Sequence, residues 1–208
     1  MKGLAFDAEK AVKDGLVRRF PLDTHYIVED MAEQHKDIDL RTITRKGVEK
    51  TYSVKMCNKM QDFNYRCNFE IKQHTLDYSR SMDGNFLHCE ADVYVIVTTD
   101  FAFLFRFNEL KDLVLNGNLG YKTTNHRSID KAIAWAKQRG ANLETAMIRT
   151  DTLNISLKDI TNHIPFWVMP LDEEFTTKNK NTGGMRTWVP QEQYLKALNI
   201  TPTKNQVI

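Results

Sequence analysis

Five residues between positions 37 and 70 have the types and spacing to do chemistry together: Asp37, Asp39, Ser53, Lys55 and Glu70. Asp37 and Asp39 open a stretch, 37–44, rich in β-branched residues, and strand side chains alternate with period two, so both acids share a face. Ser53 and Lys55 share a face of the next extended stretch, 50–57, for the same reason. On a third stretch, 65–72, Asn68, Glu70 and Lys72 take one side while Cys67, Phe69 and Ile71 take the other. If these three strands are neighbours in register, Asp39, Ser53, Lys55 and Glu70 meet on one patch of sheet. Carboxylates and an ammonium among Leu40, Val54 and Ile71 need one another or a metal ion, because an isolated charge in apolar surroundings is too costly. Glu29 and Glu33, one turn apart on a preceding helix, are further ligand candidates.

The elements that must position these groups can be read from periodicity. Ala8, Val12, Leu16 and Phe20 recur at a four-residue step, which predicts a helix over 8–20, ended by Pro21. A second helix is expected over 25–35, capped by Asp23 or Thr24, with Ile27, Val28, Met31 and Ala32 turned inward. The stretches 37–44 and 50–57 read as a hairpin turning at Lys46-Gly47. The run 93–98 is almost continuously apolar, the pattern of a strand covered on both faces, and 101–107 is its expected partner across Thr99-Asp100. In that partner Phe101, Phe103, Phe105 and Phe107 alternate, as core side chains do. Helices are expected over 109–115, capped by Asn108, and over 128–139, stopped by Gly140. The pieces 155–160 and 164–168 are short and apolar. A polar loop over 176–184 and a short helix over 190–198 complete the chain.

Bulk properties exclude more than they assign. The chain has 208 residues, 41% of them hydrophobic and 10% aromatic, enough for a real core in one domain spanning 1–208. A net charge of +2, from 29 basic and 27 acidic residues, demands that any nucleic-acid contact come from charges concentrated on one face. Cys57, Cys67 and Cys89 lack CxxC or Cys/His ligand spacing, so we expect reduced, buried thiols rather than a zinc site or a disulfide framework. The first fifteen residues carry charges throughout and the longest apolar run is five residues, so neither a signal peptide nor a membrane span is expected, and the expected location is the cytoplasm. The six histidines form no HxxxH motif, and GxGxxG, GxxxxGK[ST] and GxSxG patterns are missing.

The ordered set Asp39, Ser53-Val54-Lys55 and Asn68-Phe69-Glu70, followed by the segment 82–95, resembles the PD-(D/E)xK nuclease family over about residues 23–110. In that family an acid begins or ends one strand and an acid-x-Lys triplet lies on its hairpin partner. The Asn-x-Glu strand looks like that of phage-encoded members. The resemblance implies an α/β restriction-endonuclease-like fold, a central mixed sheet of about five strands flanked by helices. It implies a nuclease-like core over about 23–115 and a helical or loop extension over about 120–208. It also implies Mg²⁺- or Mn²⁺-dependent hydrolysis of DNA phosphodiesters, in the host cytoplasm if the chain is phage-encoded. Asp39, Glu70 and the backbone carbonyl of Val54 would hold the metal, with Glu29 or Glu33 and Asp37 as further ligands. Lys55 would orient the attacking water or stabilise the developing anion. DNA is the implied partner, and a second copy of the chain a further candidate.

Ser53 departs from the family pattern, which has Asp or Glu there. A hydroxyl is a poor magnesium ligand. Glu70 supplying the missing carboxylate and Ser53 holding a metal-bound water are the two rescues. Without a rescue, the chain is a nuclease-fold protein that binds DNA or a host protein without cutting. Plainer readings stand beside these: Asp37 and Asp39 as strand-entry residues, Lys55 as a solvated strand residue, Glu70 in a surface pair with Lys72 or Arg66, and Glu29 and Glu33 on a solvated helix face. The segment 178–184, with Arg186 and Trp188, is either a DNA-contacting loop or an ordinary Lys- and Gly-bearing one.

Overall fold

The computed structural model describes residues 4–59, 65–98, 100–125, 129–138 and 140–172. Helix α1 spans Leu4–Arg19, and strands β1 (Thr24–Ile27), β2 (Leu40–Ile43) and β3 (Glu49–Met56) follow, with α2 (Met31–His35) between the first two. Next come β4 (Asn58–Lys59), β5 (Tyr65–His74), β6 (Ser81–Asp83) and α3 (Asn85–His88). The hairpin β7 (Val93–Val97) and β8 (Phe101–Arg106) leads into α4 (Phe107–Asn116). The described chain ends with β9 (Tyr121–Asn125), α5 (Ile129–Gln138), β10 (Arg149–Ser156), α6 (Leu157–His163) and β11 (Trp167–Pro170). The expected loop over 176–184, Arg186, Trp188 and the helix over 190–198 lie outside the described residues.

The fold is α/β, as expected, but its strands form two sheets. One has six strands in the order β1-β2-β3-β7-β8-β11 and is antiparallel except where β7 runs parallel to β3. The other has the order β4-β5-β10-β9, with β6 also paired to β5. Both sheets draw strands from either side of residues 115–120.

The apolar patterning explains the layers. On β3 and β7, Tyr52, Val54, Val93, Val95 and Val97 point to one side, where Ala8, Ala11, Val12 and Leu16 of α1 cover them. Gly15 lets the helix lie close to β11, because a Cβ there would come within 2.7 Å of the Met169 methyl. On the other side, Tyr94, Ile96, Phe101, Phe103 and Phe105 pack against Cys67 and Phe69 of β5, Ile155 of β10, and α4 and α6. Every residue of β7 is therefore buried, which is why its sequence is apolar without alternation.

The helix expected over 25–35 is half strand. Thr24 to Ile27 pair with Ile43 to Leu40, and the His25 ring bonds to Thr42 Oγ1 at 2.8 Å and to the Phe20 carbonyl at 3.0 Å. Ile27 and Val28 fit either period, and pairing with β2 decides between them. Asp30 starts the helix instead, accepting the Ala32 and Glu33 N–H groups at 2.8 and 3.1 Å, so Met31 and Ala32 end up exposed. The segment 155–160 is likewise the end of β10 and the start of α6, with Ser156 as the cap.

Candidate active site

The site forms where β2 stops and β3 continues. Leu40 pairs with Tyr52, and Asp39 makes the last ladder bond, donating its N–H to the Tyr52 carbonyl at 2.8 Å. Beyond that point β3 still has its neighbour β7 on one side but no longer has β2 on the other. Asp39 fills the vacated place with its side chain: Oδ2 accepts the Val54 N–H at 2.6 Å. A strand residue's N–H and carbonyl point the same way, so the Val54 carbonyl faces the same gap.

Asp37 enters from the turn after α2. Its φ of 59° lies in the left-handed region, which Asp tolerates better than most residues. Its N–H reaches the Gln34 carbonyl at 3.0 Å. Its two carboxylate oxygens are divided between partners: Oδ2 accepts the Ser53 hydroxyl at 2.8 Å, and Oδ1 accepts the Lys55 ammonium at 2.5 Å. Lys55 Nζ also lies 3.4 Å from Asp39 Oδ2. The Asp37 and Asp39 side chains are 14% and 17% exposed and that of Lys55 36%, so these ion pairs are only partly screened by water. Ser53 is fully buried.

A fourth charge comes from α1. Glu9, next to the buried Ala8, is half-buried, and its carboxyl is pushed up to about 7, first by burial and then by the charge of Asp39, with Lys55 pulling the other way. Burial also raises the Asp39 carboxyl, and Asp37 adds to it, against the lowering by Lys55 and the Val54 N–H. For Lys55 burial alone would favour the neutral amine, but Asp39 and then Asp37 outweigh it and hold the ammonium charged. Asp37 and Asp39 thus both meet the Lys55 ammonium, and Glu9 lies within electrostatic reach of Asp39 and Lys55. Among the described residues no three His, Cys, Asp or Glu side chains already stand together as a ligand set.

The expected residues are sorted by this geometry. Asp37, Asp39, Ser53 and Lys55 come together, with Val54 between them. Glu70 does not join them, which corrects the expectation that a third adjacent strand would carry it in. The place beside β3 is taken by β7, while β5 pairs with β4, β6 and β10 in the second sheet, and Glu70 lies opposite Thr152 there. Neither partner in the plainer reading of Glu70 is claimed by it in the ion pairs of the described residues. Arg66 lies over the Tyr121 ring, 5.2 Å from its centre. Glu29 is exposed between β1 and α2, and Glu33 pairs with Arg41. The sequence reading missed Glu9. The available signal was an acid directly beside the apolar stripe Ala8-Val12-Leu16, on the edge of the face that α1 buries.

The thiols are free, as expected: Cys67 and Cys89 are buried and Cys57 half-buried. Cys89 lies behind Asp37, its sulfur 4.0 Å from the Asp37 carbonyl, and burial pushes its thiol up to about 11. Another polar cluster sits on the second sheet, where Asp151 receives His74 Nε2 at 3.2 Å and Lys122 Nζ at 3.0 Å. A groove of about 800 Å³ lined by Lys50, Asp92, Arg106 and Trp167 lies toward the opposite, N-terminal ends of β3 and β7 and includes none of the site residues.

No protein-family model and no curated protein matches the chain. Among solved structures, a bacterial homing endonuclease, I-Ssp6803I, is similar with a TM-score of 0.38 and 12% identity, over 50% of this chain and 67% of that one. A TM-score that low decides neither the fold family nor the activity. No helix among the described residues is long and apolar enough to cross a membrane.

Proposed function

We propose that the chain is a Mg²⁺- or Mn²⁺-dependent deoxyribonuclease of the PD-(D/E)xK kind, hydrolysing phosphodiesters in DNA. The observation that carries this reading is the pair of aspartates, Asp37 and Asp39, that meet Lys55 at the point where β2 ends, with the Val54 carbonyl facing the same gap. One ammonium cannot neutralise two aspartates in a half-buried place, and a cation would offset the remaining negative charge. The donor chemistry suits a hard cation: carboxylate oxygens from Asp37 and Asp39, with the Val54 carbonyl facing the same gap. Cys89, kept as a thiol by burial, is no competing soft ligand.

A cation in this place would acidify a bound water and offset charge on the phosphoryl oxygens. The chain's own groups do the rest. Asp39 is locked by the Val54 N–H, so its second oxygen points in a defined direction. Lys55 is held on a central strand as a permanent point charge, suited to orienting a water or meeting the anion that develops on phosphate. Glu9, on the helix that covers the Tyr52 and Val54 face of the sheet, adds an acid within electrostatic reach of Asp39 and Lys55.

A second reading has its own support. The Lys55 ammonium already rests on both aspartates, and Ser53 replaces the triplet acid, as in a nuclease-fold protein that binds DNA or a host protein without cutting it. Incubation with supercoiled plasmid separates the two. The nuclease reading expects nicking with Mg²⁺, none with EDTA, and none from Asp39→Asn protein of unchanged circular dichroism. Wild-type protein that retards DNA in a salt-dependent way but leaves it intact with Mg²⁺ and with Mn²⁺ overturns it.

A further inference from the structure

We propose that Asp37 does the work of the carboxylate that the Ser53-Val54-Lys55 triplet lacks, and that Ser53 is the residue that positions it; this rests on the nuclease reading above. The serine is not a gap in the site. Its hydroxyl is fully buried and donates to Asp37 Oδ2 at 2.8 Å, while the other oxygen of the same carboxylate holds Lys55 Nζ at 2.5 Å. An acidic side chain at position 53 would extend from the same Cβ into the space that the Asp37 carboxylate now fills. The negative charge therefore stands where the triplet would have put it, beside Lys55, but it arrives from the turn before β2.

Two further features favour this transfer. Asp37 adopts φ 59°, a conformation that costs energy in most residues and is kept here by the bond from its N–H to Gln34. That turn aims the carboxylate at β3 rather than at solvent, leaving the side chain 14% exposed. Asp39, by contrast, spends one oxygen on the Val54 N–H and lies farther from Lys55, at 3.4 Å. The two aspartates thus divide the labour: Asp39 replaces a missing strand bond, and Asp37 supplies the triplet charge.

The test is a reciprocal exchange, with Asp37→Asn, Ser53→Asp and the double variant compared with wild type. Asn keeps the residue type that tolerates the left-handed turn and an oxygen for Ser53, so the single variant folds. Plasmid nicking and the Mg²⁺-induced rise in melting temperature are read for all four proteins. Asp37→Asn should lose roughly 100-fold in nicking and most of the Mg²⁺ response. Ser53→Asp, which crowds two carboxylates, should also be impaired. The double variant should recover to within about tenfold of wild type in nicking and regain the Mg²⁺ response, since one carboxylate again stands beside Lys55.

An exchange no better than the worse single variant overturns the proposal. So does an exchange that restores the metal-free melting temperature but neither nicking nor the Mg²⁺ response, because Asp37 would then be only a structural partner of Lys55. A wild-type protein that neither nicks DNA nor responds to Mg²⁺ overturns the parent reading and this one together. That outcome is distinct from a failed exchange, in which wild type is active.

Discussion

Two clusters of charge, one on each sheet, share the same ingredients in opposite proportion. On the second sheet Asp151 stands between two basic groups, His74 and Lys122, and Lys122 is 63% exposed. On the first sheet Lys55 stands between two acids, Asp37 and Asp39, with Glu9 of α1 within electrostatic reach. The former is an acid compensated by its partners. The latter sets two aspartates against a single ammonium in a half-buried place, the imbalance on which the proposed cation rests. A polar cluster in a sheet is thus not a functional site by its residue types alone, and the balance of charge against burial distinguishes the two.

The largest expected effect concerns the two lysines. Lys55→Met should reduce Mg²⁺-dependent nicking by roughly 10²–10³-fold, the usual loss when a donor to a developing anion is removed. Lys122→Met should leave the rate within about twofold, measured on the same plasmid, because its charge lies on the other sheet. Equal losses from both would erase the contrast between the clusters.

Metal addition gives the next largest contrast. At about 100 times its dissociation constant, Mg²⁺ should stabilise the wild type by about 2.7 kcal/mol, which is several degrees in melting temperature. Asp151→Asn protein should show the same rise, and Asp39→Asn protein little of it. A rise that survives Asp39→Asn would move the cation away from β2.

The pH dependence sharpens the comparison further. The Glu9 carboxyl titrates at about 7 in the folded chain instead of the usual 4.5. The native state therefore holds a proton that the unfolded chain releases between those values, so stability should fall as pH rises from about 4.5 to 7 and stay lower above it. Glu9→Gln should remove that fall, giving a variant more stable than wild type at pH 8 and equal to it at pH 4, by urea midpoints. Because Glu9 is only partly buried, solvent screening limits the gain to about 1 kcal/mol. The same variant should lose activity, so stability and function move in opposite directions at this residue.

The smallest effect falls on the exposed pair. Removing the Lys122 ammonium should cost less than about 1 kcal/mol in urea unfolding, since a lysine so open to water gains little from its ion pair. A larger loss would mean that the second cluster is itself under charge strain.

How much of this was legible in the residues depended on the range of the interaction involved. The hairpin bearing Asp39 and Lys55 was readable because alternation and a Lys46-Gly47 turn are local signals, and the run 93–97 announced its own burial. Ile27 and Val28 misled, because two adjacent apolar residues suit a helix face and a strand equally until a partner strand is present. Glu70 misled for a similar reason: its alternation placed it on the right kind of face, but nothing within 65–72 says which strand lies alongside. Glu9 was hidden, because it acts across the packing of α1 on the sheet. Asp37 was legible as a candidate, but not its direction, which a backbone turn before β2 sets.

Composition and periodicity by themselves determined a chain of mixed helices and strands with a fully buried strand, free thiols and an Asp39–Lys55 hairpin, because each of these is written in side-chain spacing along a few residues. Only the tertiary structure decided that the strands divide into two sheets, that β7 and not β5 lies beside β3, that Asp37 turns onto Ser53 and Lys55, and that Glu9 comes within electrostatic reach of Asp39 and Lys55. Strand neighbours and helix docking are settled by which apolar faces find each other across the whole chain. A charge carried on those elements goes wherever that packing takes it.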